Sequence, residues 1–285
     1  MFWTPLGSRC RCCSAGATVV MAVFIAVAAP ANAVTFEEQR NLCANKDAAS
    51  EERIPACTAI IETGKLDPKE LAAAYSERAD AYQAEPDLAQ ALADANEAVR
   101  LDPGSASALF RRGDIYKNLY QDDQAIGDFT EAIRLEPGVP LYFIDRSNAY
   151  LDKHDYDRAI ADLNEALRLD AADDYEAIVN RCNVLALKGD LEAALADCQK
   201  GLSQHPNDTY GLGALAFVYY KMGRFDDSIA AYTAALDFPD LEPYDKAYPL
   251  YGRGLAKLKK GEESGAAADM AEAQALWKNI ARDFE

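Results

Sequence analysis

Seven cysteines, two histidines and 47 acidic residues are the side chains through which this chain could do covalent, metal or acid–base chemistry. Cys10, Cys12 and Cys13 precede an apolar run from Ala15 to Ala29, and Cys43, Cys57, Cys182 and Cys198 follow it. The last four contain no C-x-x-C spacing, and the only histidines are His154 and His205. Ligand spacing therefore disfavours a zinc site or a thiol–disulfide relay. The sequence lacks the phosphate-cradling G-x-x-x-x-G-K-[ST], the G-x-S-x-G nucleophile turn and the H-E-x-x-H zinc helix. Two histidines give little acid–base capacity near neutral pH. Many carboxylates lie three residues before an arginine, as in Glu97–Arg100, Glu131–Arg134 and Glu165–Arg168. That is the spacing of solvated pairs on one helix face. The expectation is no catalytic residue, no metal, no cofactor and no enzyme.

A second set of charges points to structure. Arg78, Arg112, Arg146, Arg181 and Arg253 are each followed, sixteen residues on, by Asp94, Asp128, Asp162, Asp197 and Asp269. Where Leu215 takes the arginine slot, Ala231 takes the aspartate slot. The two charges vanish together, so each pair is expected to touch, guanidinium fork on carboxylate, across two helices. The other reading, an anion-binding ladder, is disfavoured, because losing one charge alone would leave its partner poorly compensated.

The elements that position these residues repeat. Ala106 to Pro137 reads as two short amphipathic helices with a turn near Tyr120–Asp123. Small residues recur at Ala79, Gly113, Ser147, Cys182, Ala216 and Gly254, with gaps of 34, 34, 35, 34 and 38 residues. Twelve residues after each come Ala91, Ala125, Ala159, Ala194, Ser228 and Ala266. Pro103, Pro137 and Pro206 close three units, while Ala171 and Asp240 stand where two more prolines would fall. The insert 238–245, with Pro239 and Pro243, accounts for the longest gap.

The spacing G-x2-Y followed by A-x3-F-x2-A-x4-P at Gly113–Pro137, with the equivalent slots recurring six times in register from about Ala72 to Trp277, resembles the tetratricopeptide repeat family. The expected fold is all-α, a right-handed α-solenoid of about seven antiparallel helical hairpins. In register, Cys182 takes the small slot of its repeat and Cys198 the bulky slot filled elsewhere by Phe129. These slots face each other in one hairpin, so Cys182–Cys198 is the expected disulfide. Cys43 and Cys57 fit the same slots across a shorter turn, giving a stapled first hairpin from about Thr35 to Thr63.

The resemblance implies that the first helices of the hairpins line an inner, concave surface that holds an extended or helical peptide. The inward stripe would carry Phe110, Leu141, Ile144, Val179, Tyr210, Phe217, Tyr220, Tyr248 and Tyr251, with Asp80, Asp114, Asn148 and Asn183 beside it in one register. Asparagine can both donate to and accept from a peptide backbone. For each stripe residue, packing between neighbouring repeats stays open as the alternative. Some members of the family grip a partner's terminal carboxylate with lysines as well as asparagines. The matching lysines are missing here, so that activity is not carried over.

Residues 1–33 read as a signal peptide: Arg9 and Arg11, the apolar run, then Ala31-Asn32-Ala33 as a cleavage site. Residues 34–71 form an atypical stapled N-terminal hairpin, and 72–285 a repeat array ending in a capping helix. Export to the periplasm or beyond would put the cysteines in an oxidising compartment. A net charge of −18, about −20 without Arg9 and Arg11, repels nucleic acid and anionic lipid. The leading function is an exported scaffold that docks another protein or peptide. The alternative is a periplasmic enzyme or small-molecule carrier using the same groove.

Overall fold

The structure is a computed structural model that describes residues 34–85, 87–169, 175–239 and 241–281. The expected leader at 1–33, Pro86 in its turn, Ala171 and Asp240 in their proline slots and the charged end 282–285 lie outside these residues.

The described residues form fourteen α-helices and no strand. They pair as α1 (Phe36–Ala44) with α2 (Ser50–Glu62), α3 (Pro68–Ala84) with α4 (Leu88–Leu101), α5 (Ala106–Asn118) with α6 (Asp122–Leu135), and α7 (Pro140–Asp152) with α8 (Tyr156–Leu169). The series continues with α9 (Tyr175–Lys188) and α10 (Leu191–Gln204), α11 (Thr209–Lys221) and α12 (Phe225–Leu236), and α13 (Ala247–Lys259) and α14 (Glu263–Leu276). A 3-10 turn, Tyr244–Lys246, leads into α13. Every helix packs on its hairpin partner, and each second helix packs on the first helix of the next hairpin. The described residues share no single core; each apolar face is covered by the neighbouring unit.

Local chemistry sets the helix ends. Asp67 accepts from the backbone of Lys69 and Glu70, while Glu70 accepts from the backbone N–H of Asp67, a reciprocal cap with Pro68 in the first turn. Ser105, Asp87 and Asp208 cap α5, α4 and α11. Pro103, Pro137 and Pro206 each stand two residues past a helix end, where a missing N–H costs nothing.

Five of the turns inside hairpins carry one left-handed residue. Gly189, Gly223 and Gly261 supply it in three hairpins, but Tyr120 (φ 57°) and His154 (φ 58°) supply it in two others. The left-handed region costs an L-residue about 1–2 kcal/mol, partly offset by the entropy glycine loses on folding. Tyr120 is 89% exposed, so little packing would be lost on removing its side chain. Tyr120→Gly is expected to stabilise the protein by about 0.5–1 kcal/mol in urea unfolding; a drop in stability would contradict this account.

Close approach defines the hairpin centres. A Cβ on Gly113 would lie 2.7 Å from the Phe129 ring, and one on Gly254 would lie 2.5 Å from Met270. Cys182 and Cys198 occupy the same two places in their hairpin and are joined as a disulfide, with Cα atoms 5.4 Å apart. Cys43 and Cys57 are likewise joined, between α1 and α2, with Cα atoms 4.8 Å apart. All four cysteines are buried.

The arginine–aspartate pairs form a ladder. Each is bidentate: Arg78 on Asp94 at 2.6 and 2.9 Å, Arg112 on Asp128 at 2.7 and 2.8 Å, Arg146 on Asp162 at 2.8 and 2.7 Å. Arg181 on Asp197 and Arg253 on Asp269 repeat the geometry. The third guanidinium nitrogen reaches back to the preceding hairpin: Thr58, Asn96, Thr130, Asn164 and Thr233 accept from Nη1 at 2.7–3.3 Å. Each arginine therefore fastens its own hairpin and ties it to the one before. The sequence indicated the first bond through the paired loss at Leu215 and Ala231. The second was visible only as a hydroxyl or amide two residues after most of the ladder positions, and it was missed.

Candidate docking face

The ladder draws the arginines towards the second helices. The other side of the first helices carries two registers of polar residues, Glu77, Arg111, Asp145 and Asn180, and Asp80, Asp114, Asn148 and Asn183. Their environments change along the array. At α3 the charges cancel. Arg53, 4% exposed, pairs with Glu77 at 3.0 Å and Asp80 at 2.9 Å, and Arg111 pairs with the same two carboxylates. Asp114 accepts from Gln83 at 2.6 Å.

At α7 the balance fails. Asp145 is half-buried and makes no ion pair among the described residues. Burial pushes its carboxyl up to about 7, with repulsion from Asp114 and Glu176 outweighing attraction from Lys117 and a hydrogen bond from Asn148. Between its ordinary value of 3.8 and about 7, folded Asp145 holds a proton that the unfolded chain has released. Stability therefore falls as pH rises through that window, and the whole cost is present above it. Asp145→Asn is expected to melt higher than the parent at pH 8, with the gap closing towards pH 4; a gap that is constant with pH would contradict the assignment.

Beyond Asp145 the face opens into two adjoining recesses. One, about 500 Å³, is lined mostly by polar residues: Lys117, Asn148, Asp152, Glu176, Asn180 and Tyr210, with Leu151. The other, about 460 Å³, is mainly apolar and is walled by Leu151, Leu187, Tyr210, Phe217, Tyr244, Tyr248 and Trp277, with Asn183 and Asp245 at its edge. Tyr244 and Trp277 lean together with ring centres 5.3 Å apart. The Tyr210 hydroxyl accepts from Asn183 at 2.9 Å and donates to Asn180 at 3.0 Å, which fixes the ring between the recesses.

Of the stripe residues expected from the sequence, Asn183, Tyr210, Phe217 and Tyr248 line the apolar recess, and Asn148 lines the polar one. Three need correction. Ile144 (2% exposed), Val179 (0%) and Tyr251 (8%) are buried in the packing between helices and offer no surface to a partner. Phe110 is half-buried, its ring 5.6 Å from Phe129 and 5.0 Å from Tyr142, and serves the joint between hairpins. Tyr220 turns towards Phe225, and Leu141, 43% exposed, lines neither recess. The error has one source: the packed and open stripes of a helix are only about 100° apart, and an apolar residue fits either.

Leu151, Leu187, Tyr244 and Trp277 were missed. Leu151 and Leu187 lie one turn beyond Asn148 and Asn183 on the same faces, a spacing that could have found them. Tyr244 sits in what read as a spacer and Trp277 in what read as a solvent cap. No group of three or more His, Cys, Asp or Glu residues among those described is placed to hold a metal ion.

The tetratricopeptide repeat profile matches residues 76–140, 144–209 and 214–279, well over half of the chain. The chain belongs to the tetratricopeptide repeat family. Solved structures show the same array. A tetratricopeptide repeat protein from Parabacteroides merdae superposes with a TM-score of 0.72 at 17% identity, over 86% of this chain and 94% of that one. PilW, a type IV pilus biogenesis factor, gives 0.63 at 19% identity, over 75% of this chain and 99% of its own. PilF of Pseudomonas aeruginosa gives 0.59 at 16%, over 76% and 97%. At such identities the likeness establishes the fold of this tetratricopeptide array and nothing of its partner. No protein of curated function matches the chain. No helix among the described residues is long and apolar enough to cross a membrane.

Proposed function

We propose that this protein is an exported tetratricopeptide scaffold that holds a segment of another polypeptide against its first-helix face. The observation that carries this reading is the pair of recesses between α7 and Trp277, where aromatic walls adjoin buried-edge amides and carboxylates. Apolar recesses with a few fixed polar groups are where segments of partner chains dock. Family membership supports the class, since tetratricopeptide proteins typically act as scaffolds and not as enzymes. Two buried disulfides and the signal-like composition of residues 1–33 support a periplasmic or secreted location.

The apolar recess is also large enough for a small ligand, which keeps the carrier alternative in view. Affinity capture from the envelope fraction separates the two. The parent protein is expected to retain a stoichiometric polypeptide that the Leu187→Glu, Tyr244→Ala variant does not. Equal retention by parent and variant would contradict docking at this face, and a defined small molecule released from the purified parent would favour the carrier. Leu187 and Tyr244 suit this test because they are 38% and 58% exposed; Tyr251, being buried, would confound it.

A further inference from the structure

Charge and shape along the first-helix face are graded, and the gradient specifies a ligand. At α3 the carboxylates of Glu77 and Asp80 are neutralised by Arg53 and Arg111. At α11 and α13 the surface is an aromatic recess of about 460 Å³. Between them Asp145 on α7 faces Asp114 and Lys117 from α5, Glu176 from α9 and Asn148 on its own helix. Asp145 itself makes no ion pair among the described residues, and its neighbours Lys117, Glu176 and Asn148 line the polar recess that adjoins the apolar one. A cation brought by a ligand would supply what the protein withholds here but provides at Glu77 and Asp80.

Resting on the docking reading above, we propose that the bound segment carries a lysine or arginine over Asp145 and a bulky aromatic or aliphatic side chain in the Tyr210–Phe217–Tyr244–Trp277 recess. Packed helices lie about 8–10 Å apart and an extended chain advances about 3.3 Å per residue. The two anchors are therefore about three to six residues apart in the segment. The apolar anchor supplies buried area, and the charge selects among segments that have one. Ligand cation and proton compete for the same carboxylate, so binding weakens as pH falls below about 7.

The test uses the purified full-length protein and an immobilised array of twelve-residue Gly/Ser peptides. Each peptide has one Trp and one Lys, Gln or Glu at spacings of one to eight. Lys–Trp peptides are expected to be retained about fivefold to tenfold better than Glu–Trp peptides, best at spacings of three to six. The best soluble Lys–Trp peptide should bind several-fold more weakly at pH 5.5 than at pH 8. Asp145→Asn should lose the preference for Lys and keep the dependence on Trp, whereas Tyr244→Ala should do the reverse. Equal retention of Glu–Trp and Lys–Trp peptides overturns this inference and leaves the docking reading standing. Retention of no peptide overturns both. Tryptamine binding as tightly as the best peptide would make the ligand a small aromatic amine and overturn the polypeptide assignment.

Discussion

Arg146→Leu alone is expected to destabilise the array by about 3 kcal/mol, and Arg146→Leu with Asp162→Ala by distinctly less. The reason is the site that the single change leaves behind. Asp162 is buried, with only 9% of its side chain exposed, and both of its oxygens are held by Arg146 at 2.7–2.8 Å. Without the guanidinium, that carboxylate keeps its desolvation cost and loses its counter-charge. The double variant instead reproduces the apolar pair that the chain already uses at Leu215 and Ala231. Arg146 also donates to Thr130 of the preceding hairpin at 3.0 Å, so both variants should loosen the α6–α7 joint. Urea unfolding with hydrogen exchange at α6–α8 reads both effects. A single variant no worse than the double would show that the pair contributes nothing as a pair.

Removing the second disulfide, by Cys182→Ala with Cys198→Ala, is expected to cost about 3 kcal/mol, the figure for closing a loop of about this length. The bridge spans sixteen residues inside one hairpin, at the spot where Gly113 meets Phe129 in its own hairpin. In an array stabilised by its nearest neighbours, the loss should be local. Hydrogen exchange should quicken in α9 and α10, and in α11, which packs on both and lacks the arginine–aspartate pair. Faster exchange spread evenly from α3 to α14 would contradict the modular picture. The Cys43–Cys57 pair should behave likewise for α1 and α2, which share a small apolar cluster.

The fold was legible because its rules are local and recur. A small residue opposite a bulky one, an arginine sixteen residues before an aspartate and a proline after the second helix state the same hairpin again and again. One chain thus supplied its own comparisons, and the joint loss at Leu215 and Ala231 was as informative as the five intact pairs. The face was less legible, for a physical reason. Burial of Ile144, Val179 and Tyr251 depends on how far neighbouring hairpins rotate against each other, and helical periodicity carries no such information. Tyr244 and Trp277 belong to the least repetitive parts of the chain, so no register pointed to them. Asp145 shares a register with Glu77, Arg111 and Asn180. Unlike Glu77 and Asp80, which Arg53 serves from outside the regular array, it makes no ion pair among the described residues, and no register carries that difference.

The central claim is that another polypeptide lies against the first helices in the recesses beside α9 and α11. Site-specific photo-crosslinking in the producing cells tests it most directly, with the probe placed at Leu187 in the apolar recess or at Glu131 on the outer helix α6. The account predicts an adduct with a second polypeptide from position 187, weakened by Tyr244→Ala, and none from position 131. Adducts from position 131 alone, or equally from both, would contradict it.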